Sequence, residues 1–340
     1  MRKIGCGVVG LGAIGPTHIK CIRAIDNAQL VAVCDCVEEK ALRYSQENDC
    51  RAYTRYEDML ADPAVELVHI CVPSGDHANL GVLAAAAGKH VLVEKPIDVT
   101  LEAADRLIEA CDKAGVLLSC ISQHRFADDL IRTKEAIDTG RIGKITFAGS
   151  HTKWYRSQEY YDSGDWRGTW ELDGGGALMN QSVHYVDMVQ WLCGEVEEVT
   201  AYCGTLAHER IEVEDVAAAI MKFKNGAIGI LEGNTTAYPG FQQRLDIYGS
   251  NGSVIIENDK IREWHFRDEQ DGKTADAGES AGAGSAAIPS SCHQRQVQDM
   301  VDVILEGRQP AITGRDARHP LAIILAVYES SRTGRAAKVK

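Results

Sequence analysis

The sequence predicts two parts of different class: an α/β doubly wound parallel sheet, then an α+β part with an open, mostly antiparallel sheet. Three observations lead there. From residue 1 to about 121, short apolar runs alternate with helical patterns, as successive βαβ units require. The glycine run Gly10-Leu11-Gly12-Ala13-Ile14-Gly15 stands between the first apolar run and the first helix. After about residue 122 the alternation gives way to strands joined by hairpin turns.

In the first part the strand candidates are Ile4–Val9, Leu30–Cys34, Leu67–Val72, His90–Val93 and Val116–Ile121. Helical stretches lie between them at Pro16–Ile25, Glu38–Asn48, Ala78–Ala87 and Leu101–Ala114. Right-handed crossovers then dictate a Rossmann arrangement over 1–121. The second part, 122–340, opens with a helix at Asp128–Asp138 and a strand at Lys144–Lys153. A Gly/Trp-rich loop and a helix, Ala177–Cys193, follow. Strands are expected at Val199–Gly204, Asp215–Phe223, Ala227–Thr236, Gln243–Tyr248, Gly252–Glu257 and Lys260–Phe266, with Asn225-Gly226 and Asn251-Gly252 as turns. Residues 268–290, rich in Asp, Gly, Ala and Ser, read as a low-complexity loop. Two helices close the chain, Gln294–Leu305 and 317–332, the latter a candidate to return to the first part.

The 340 residues suit two domains, and 45% hydrophobic with 25% charged residues is ordinary for a globular enzyme. A net charge of −13 argues against nucleic acid or an anionic membrane as partner. The cysteines (Cys6, Cys21, Cys34, Cys36, Cys50, Cys71, Cys111, Cys120, Cys193, Cys203 and Cys292) form no CxxC pair, so reduced core thiols in a reducing compartment are expected, and no metal. Arg2-Lys3 before an apolar run imitates a signal peptide, but five glycines and Pro16-Thr17-His18 follow without a cleavage pattern. No segment approaches the roughly 20 apolar residues of a membrane span. A soluble, cytoplasmic protein is expected.

The glycines sit where phosphate binding requires them. Gly10 permits a tight turn, Gly12 a close backbone approach, and Gly15 close helix–strand contact. With Ala13 and Ile14 they open a helix N-terminus, whose free N–H groups suit a pyrophosphate. Twenty residues past Gly15, Asp35 ends the second strand and can accept ribose hydroxyls. It would repel a 2′-phosphate, and Cys36 beside it offers no cation, so NAD is favoured over NADP. Cys71 and Pro73, with His77 beyond them, follow the next strand at the edge where cofactors lie. Glu94-Lys95-Pro96 ends another. From spacing alone, Lys95 is either a crevice lysine or a solvated one.

In the second part three glycines, Gly174 to Gly176, precede Asn180, His184 and Asp187, which share one helical face at i, i+4 and i+7. From Ala177 to Cys193 the only formal charge is Asp187. Such a helix is not a solvated one, so its polar stripe needs partners. His184 is either a cleft residue or a satisfied core histidine. Gln123-His124-Arg125 falls at the junction, and Tyr155-Arg156, Tyr160-Tyr161 and Trp166-Arg167 flank the glycines. Aromatic-plus-arginine loops suit polyhydroxyl ligands, and equally serve as packing or interface loops.

With these residues in view, the chain resembles the glucose-fructose oxidoreductase / inositol dehydrogenase / MocA family over nearly its whole length. The resemblance rests on Gly10–Gly15, Glu94-Lys95-Pro96, Trp166-Arg167, Gly174–Asp187 with His184, and Tyr328-Glu329-Ser330-Ser331-Arg332-Thr333-Gly334. It implies NAD(H)-dependent hydride transfer at a carbinol carbon of a sugar, cyclitol or sugar derivative. It also implies a homodimer or homotetramer built through the second sheet. Lys95 and His184 would be catalytic, His184 as base and Lys95 polarising the oxygen. Gly10, Gly12, Ala13, Ile14, Gly15, Asp35, Cys71, Pro73, His77, Glu94, Lys95, Gln123 and Arg167 would hold the cofactor. Lys95, Arg125, Tyr155, Trp166, Asn180 and His184 would hold a polyol substrate. Where the family often has aspartate, this chain has Asn180, which cannot take a proton. Three alternatives stay open: a glycoside-cleaving or 3-keto-glycoside-forming enzyme using transient ring oxidation, an aldose-ketose oxidoreductase with permanently bound cofactor, and an NAD-binding protein without turnover.

Overall fold

The chain opens with β1 (Ile4–Val9), α1 (Gly15–Arg23), β2 (Ala28–Cys34) and α2 (Glu38–Asn48). It continues through β3 (Arg51–Tyr53), α3 (Tyr56–Leu60), β4 (Leu67–Ile70), α4 (His77–Ala86), β5 (His90–Val93), α5 (Leu101–Ala114) and β6 (Leu118–Cys120). Next come α6 (Asp128–Asp138), β7 (Ile145–Lys153), α7 (Gln158–Asp162) and α8 (Val183–Cys193). The strands β8 (Val196–Gly204), β9 (Val216–Phe223), β10 (Ile228–Asn234), β11 (Arg244–Gly249), β12 (Gly252–Glu257) and β13 (Lys260–Phe266) follow. Last are α9 (Ser290–Glu306), α10 (Gly314–Thr333) and β14 (Ala337–Lys338). This computed structural model describes residues 2–267 and 290–340. The loop expected at 268–290 falls outside them save for its last position.

The described residues divide between two units, one within the spans 1–123 and 288–318 and the other within 124–287 and 319–340. The first holds a six-stranded parallel sheet in the order β3-β2-β1-β4-β5-β6. The order reverses between β1 and β4, so a crevice opens at their carboxyl ends. β1, β4 and β5 are apolar through nearly their whole length, as strands covered on both faces must be. One segment differs from the expected 122–340 division: α9 belongs to the first unit. Its Val297, Met300, Val301 and Val303 share a core with Ile4, Cys6, Val8, Ile19 and Ile22. The boundary falls within α10. β3 and α3, absent from the sequence expectation, carry the chain from β2 round to β4; β3 is three half-exposed residues, too short for a periodicity signal.

The second unit holds an eight-stranded sheet, β13-β12-β11-β7-β10-β9-β8-β14, antiparallel except for β10 beside β7. The turn at Asn225-Gly226 has Gly226 at φ +89°, the left-handed geometry such hairpins need. β9 alternates strictly, with Ala217, Ala219, Met221 and Phe223 inward. Its other face stays open, exposing Ile220, with Tyr202, Ile228 and Ile230 on the neighbouring strands. Among the described residues no helix is long and apolar enough to cross a membrane.

Candidate active site

In the first unit the glycine run meets the switch point. A Cβ on Gly10 (φ +89°) would lie 2.5 Å from the Cys71 carbonyl oxygen, and one on Gly15 would lie 2.2 Å from that of Gly10. Both glycines are therefore demanded by backbone alone. Over Gly12 there is open space. Asp35 is set by two backbone donors: Leu11 N–H reaches Oδ2 at 2.8 Å and Val37 N–H reaches Oδ1 at 2.9 Å. The strand-end carboxylate is thus tied to the glycine turn, and Cys36 beside it is exposed. Gln123 is buried, and its Oε1 has no hydrogen-bond partner among the described residues. An open glycine cradle, an oriented carboxylate and an orphaned amide oxygen fit a dinucleotide.

Glu94 lies inside the unit. Its Oε1 is 3.0 Å from His18 Nε2 and 3.6 Å from His293 Nε2, while Oε2 accepts the Lys95 N–H at 3.0 Å. His18 Nδ1 in turn meets His69 Nδ1 at 2.9 Å. Burial opposes the Glu94 charge, yet the hydrogen bond from His18 and the nearness of His293 hold its carboxyl well below the ordinary range. Glu94, His18 and His293 are all buried and of metal-ligating type, with ligand atoms within 4.8 Å of one another. Nothing in their sequence spacing announces this cluster. Lys95 follows, half-buried, just past the end of β5. His77 has both ring nitrogens on backbone carbonyls, Pro96 at 2.7 Å and Val72 at 3.0 Å. It straps the ends of β4 and β5 together. The Cys71 thiol, which burial and then the Glu94 charge push well above its usual range, stays protonated.

In the second unit the glycines release the chain as expected: Gly174 has φ +76°, and a Cβ on Gly176 would lie 1.8 Å from the Glu214 carbonyl oxygen. The Glu214 carboxylate accepts Gly176 N–H at 3.0 Å, Leu178 N–H at 2.8 Å and the Tyr328 hydroxyl at 3.0 Å. Sequence reasoning missed this group, whose pKa burial pushes up to about 7. The helix it caps differs from expectation in its first turn. Ala177–Ser182 is π-helical, and only Val183–Cys193 is regular α-helix. The i, i+4 spacing of Asn180 and His184 therefore crosses a widened turn, a feature frequent at functional sites.

The polar residues there have partners. Asn180 Nδ2 donates to Asp173 Oδ1 at 2.5 Å, and its Oδ1 accepts Gln181 Nε2 at 3.2 Å. A carboxylate thus stands one hydrogen bond behind the asparagine. His184 lies beside His124, ring centroids 4.7 Å apart. His124 Nδ1 meets Asp259 Oδ2 at 2.6 Å, while its Nε2 has no hydrogen-bond partner among the described residues. Arg125 is joined to Asp187 in a buried two-pronged ion pair (2.9 and 2.5 Å). Arg167 donates to the Tyr160 hydroxyl at 2.7 Å and lies over the Trp166 and Tyr160 rings. Tyr155 is 40% exposed, edge-on to Tyr238.

Residues 4–122 match the model of an oxidoreductase family with an NAD-binding Rossmann fold, and residues 130–255 match a GFO/IDH/MocA C-terminal domain. The chain is 30% identical to a myo-inositol 2-dehydrogenase of Thermotoga maritima, over 98% of each. The chain belongs to the GFO/IDH/MocA family. Among solved structures it is similar to the WlbA dehydrogenase of Bordetella pertussis in complex with NADH and UDP-GlcNAcA. Identity there is 34%, coverage 100% of this chain and 99% of that one, and TM-score 0.89. A levoglucosan dehydrogenase, at 21% identity and TM-score 0.90 over 99% of this chain and 100% of that one, shares the fold. As a GFO/IDH/MocA member the chain is an NAD-dependent oxidoreductase acting on CH–OH groups, and the open cradle at Gly12 beside Asp35 is where its own residues fit that cofactor.

Proposed function

We propose that the protein moves a hydride between nicotinamide and a carbinol carbon of a sugar, cyclitol or sugar derivative, with Lys95 and His184 as its catalytic pair. The observation that carries this reading is the Gly10–Gly15 cradle joined by a hydrogen bond to Asp35 at the switch point of the sheet. NAD, when bound, supplies the hydride acceptor. Backbone N–H groups at Gly12, Ala13, Ile14 and Gly15 receive its phosphates, and Asp35 takes the ribose hydroxyls. Cys71, Pro73, Gln123 and Arg167 complete that site, with Glu94 and His77 holding its strand ends. His184 takes the proton of the reacting hydroxyl, a task suited to an imidazole with reference pKa of about 6.5. The Lys95 ammonium stabilises the developing alkoxide. Asn180, its amide fixed by Asp173 and Gln181, orients a hydroxyl rather than accepting a proton. Tyr155, Trp166 and Arg125 line the substrate side, Arg125 acting with its charge already met by Asp187.

The eleven thiols suit the cytoplasm. The exposed apolar face of β9 and β10, where Ile220 pairs with Ile230, suits a homodimer or homotetramer. A single monomeric mass in sedimentation at micromolar concentration would remove that assignment.

Lys95→Ala and His184→Ala should each lower NADH formation over a panel of sugars and cyclitols by about a hundredfold or more. NADH fluorescence titration should stay near normal in both. Wild-type rates in either variant would sink the pair. Tight cofactor binding with no reaction on any panel member would point to a protein without turnover. Net glycoside hydrolysis without NADH accumulation would point to transient ring oxidation.

A further inference from the structure

We infer that the substrate is an anionic sugar and that Arg156 binds its oxyanion. The inference rests on the sugar-dehydrogenase reading above and names the substrate class within it. Arg156 follows β7, and its backbone is pinned at both ends. Its N–H donates to the Thr235 carbonyl at 2.8 Å, and its own carbonyl accepts His208 Nε2 at 2.8 Å. Its guanidinium sits between the rings of Trp154 and Tyr160, 5.0 Å from each centroid. Nε and Nη2 both donate to Gln181 Oε1, at 3.1 and 2.7 Å. A guanidinium has five N–H groups in a rigid fork. The side-on edge is thus spent on Gln181, and three N–H groups remain, including the end-on pair across Nη1 and Nη2. That pair has the spacing of a carboxylate or phosphate edge.

No carboxylate lies within ion-pair distance of Arg156 among the described residues. Arg125 makes the contrast, because its guanidinium is buried against Asp187. A half-buried cation held by a neutral amide and two rings is oriented but not neutralised, so an arriving anion meets a fixed fork at little reorganisation cost. Tyr160 adds a donor. Its hydroxyl accepts Arg167 Nη1 at 2.7 Å and Gln181 Nε2 at 2.9 Å, which leaves its own proton to donate. The same Gln181 amide reaches Asn180 Oδ1, so the cationic fork and the candidate substrate-orienting residue belong to one hydrogen-bond network. The chain carries a net charge of −13, so at long range it repels anions, and selectivity for one has to come from such a local cation. A glycuronic acid carboxylate and a sugar phosphate offer the same edge, and the experiment separates them.

The test compares NADH formation on matched pairs: glucuronate with glucose, galacturonate with galactose, glucose 6-phosphate with glucose, and UDP-glucuronate with UDP-glucose. The member with the additional oxyanion should win by about tenfold to a hundredfold in kcat/KM, mostly through KM. Preference for UDP-glucuronate over UDP-glucose would assign the carboxylate; preference for glucose 6-phosphate would assign a phosphate. Arg156→Met should collapse the ratio between members of a pair, and Arg156→Lys should restore part of it. Equal rates within every pair, or a ratio unchanged in Arg156→Met, would overturn the proposal. Should no panel member react, the dehydrogenase reading is what fails. Thermal stabilisation of the NADH-loaded protein by the anionic members then decides the subsite. Stabilisation lost in Arg156→Met supports it, and none beyond that given by neutral members ends it.

Discussion

Two buried glutamates, one in each unit, do the same mechanical work under opposite electrostatics. Glu94 accepts the N–H of Lys95, and Glu214 accepts the N–H groups of Gly176 and Leu178 at the start of the helix that bears His184. Each carboxylate therefore fixes the backbone that presents a proposed catalytic side chain. Around Glu94 stand two imidazoles, which hold its carboxyl well below the ordinary range. Around Glu214 stand two backbone N–H groups and the Tyr328 hydroxyl, all uncharged, and burial outweighs them to bring its pKa to about 7. Equal burial thus does not imply equal charge. A partner able to carry a proton keeps the anion; dipoles alone leave it balanced near neutrality.

The largest effect should come from breaking the charged member. Glu94→Gln removes the anion from between His18 and His293 and puts an amide donor into a site built for an acceptor. Removing one member of a buried ionic network costs about 3–5 kcal/mol. Urea denaturation should show a loss of that order, and kcat should fall because the support under Lys95 is weakened. The pH dependence carries the sign. A folded pKa depressed below the unfolded value adds stability above that value and loses it as pH falls through the folded one. The wild type should accordingly weaken on the acid side, below about pH 4.5, and Glu94→Gln should weaken less there. An unchanged midpoint in urea would mean that the imidazole cluster is idle.

That cluster also marks where sequence reading stops. Gly10, Gly12, Gly15 and Asp35 were legible because a strand, a tight turn and a helix are local and their spacing is imposed by the chain itself. Lys95 was visible as a strand-end residue, and Asn180 and His184 as polar groups on a helix nearly free of charge. His18, His69 and His293 carried no such sign. Lone histidines in apolar patterns look alike, and His293 joins the others only because α9 belongs to the first unit. Glu214 stands just before an alternating strand, and nothing local links it to a loop nearly forty residues earlier. Arg125 shows the converse: its place at the junction was readable, but not the claim Asp187 makes on its charge. The π-helical turn at Ala177–Ser182 has no signature in composition, and the i, i+4 argument assumed the commoner geometry.

Glu214, balanced near neutrality, gives a smaller effect and a sharper test. Because its folded pKa is raised, Glu214 binds a proton more tightly folded than unfolded. Its contribution to stability is complete below about pH 4.5 and is lost as pH rises through about 7. Over that window the loss should be on the order of 3 kcal/mol, levelling off above it. Gln mimics the protonated acid, with one acceptor oxygen and one donor. Glu214→Gln should therefore flatten the stability profile between pH 5 and 8 while leaving the acid side near the wild type, opposite to Glu94→Gln. Denaturant midpoints of both variants at four or five pH values would separate the cases. If Glu214→Gln kept the wild-type slope, the three donors would have to outweigh burial, and the two glutamates would be charged alike.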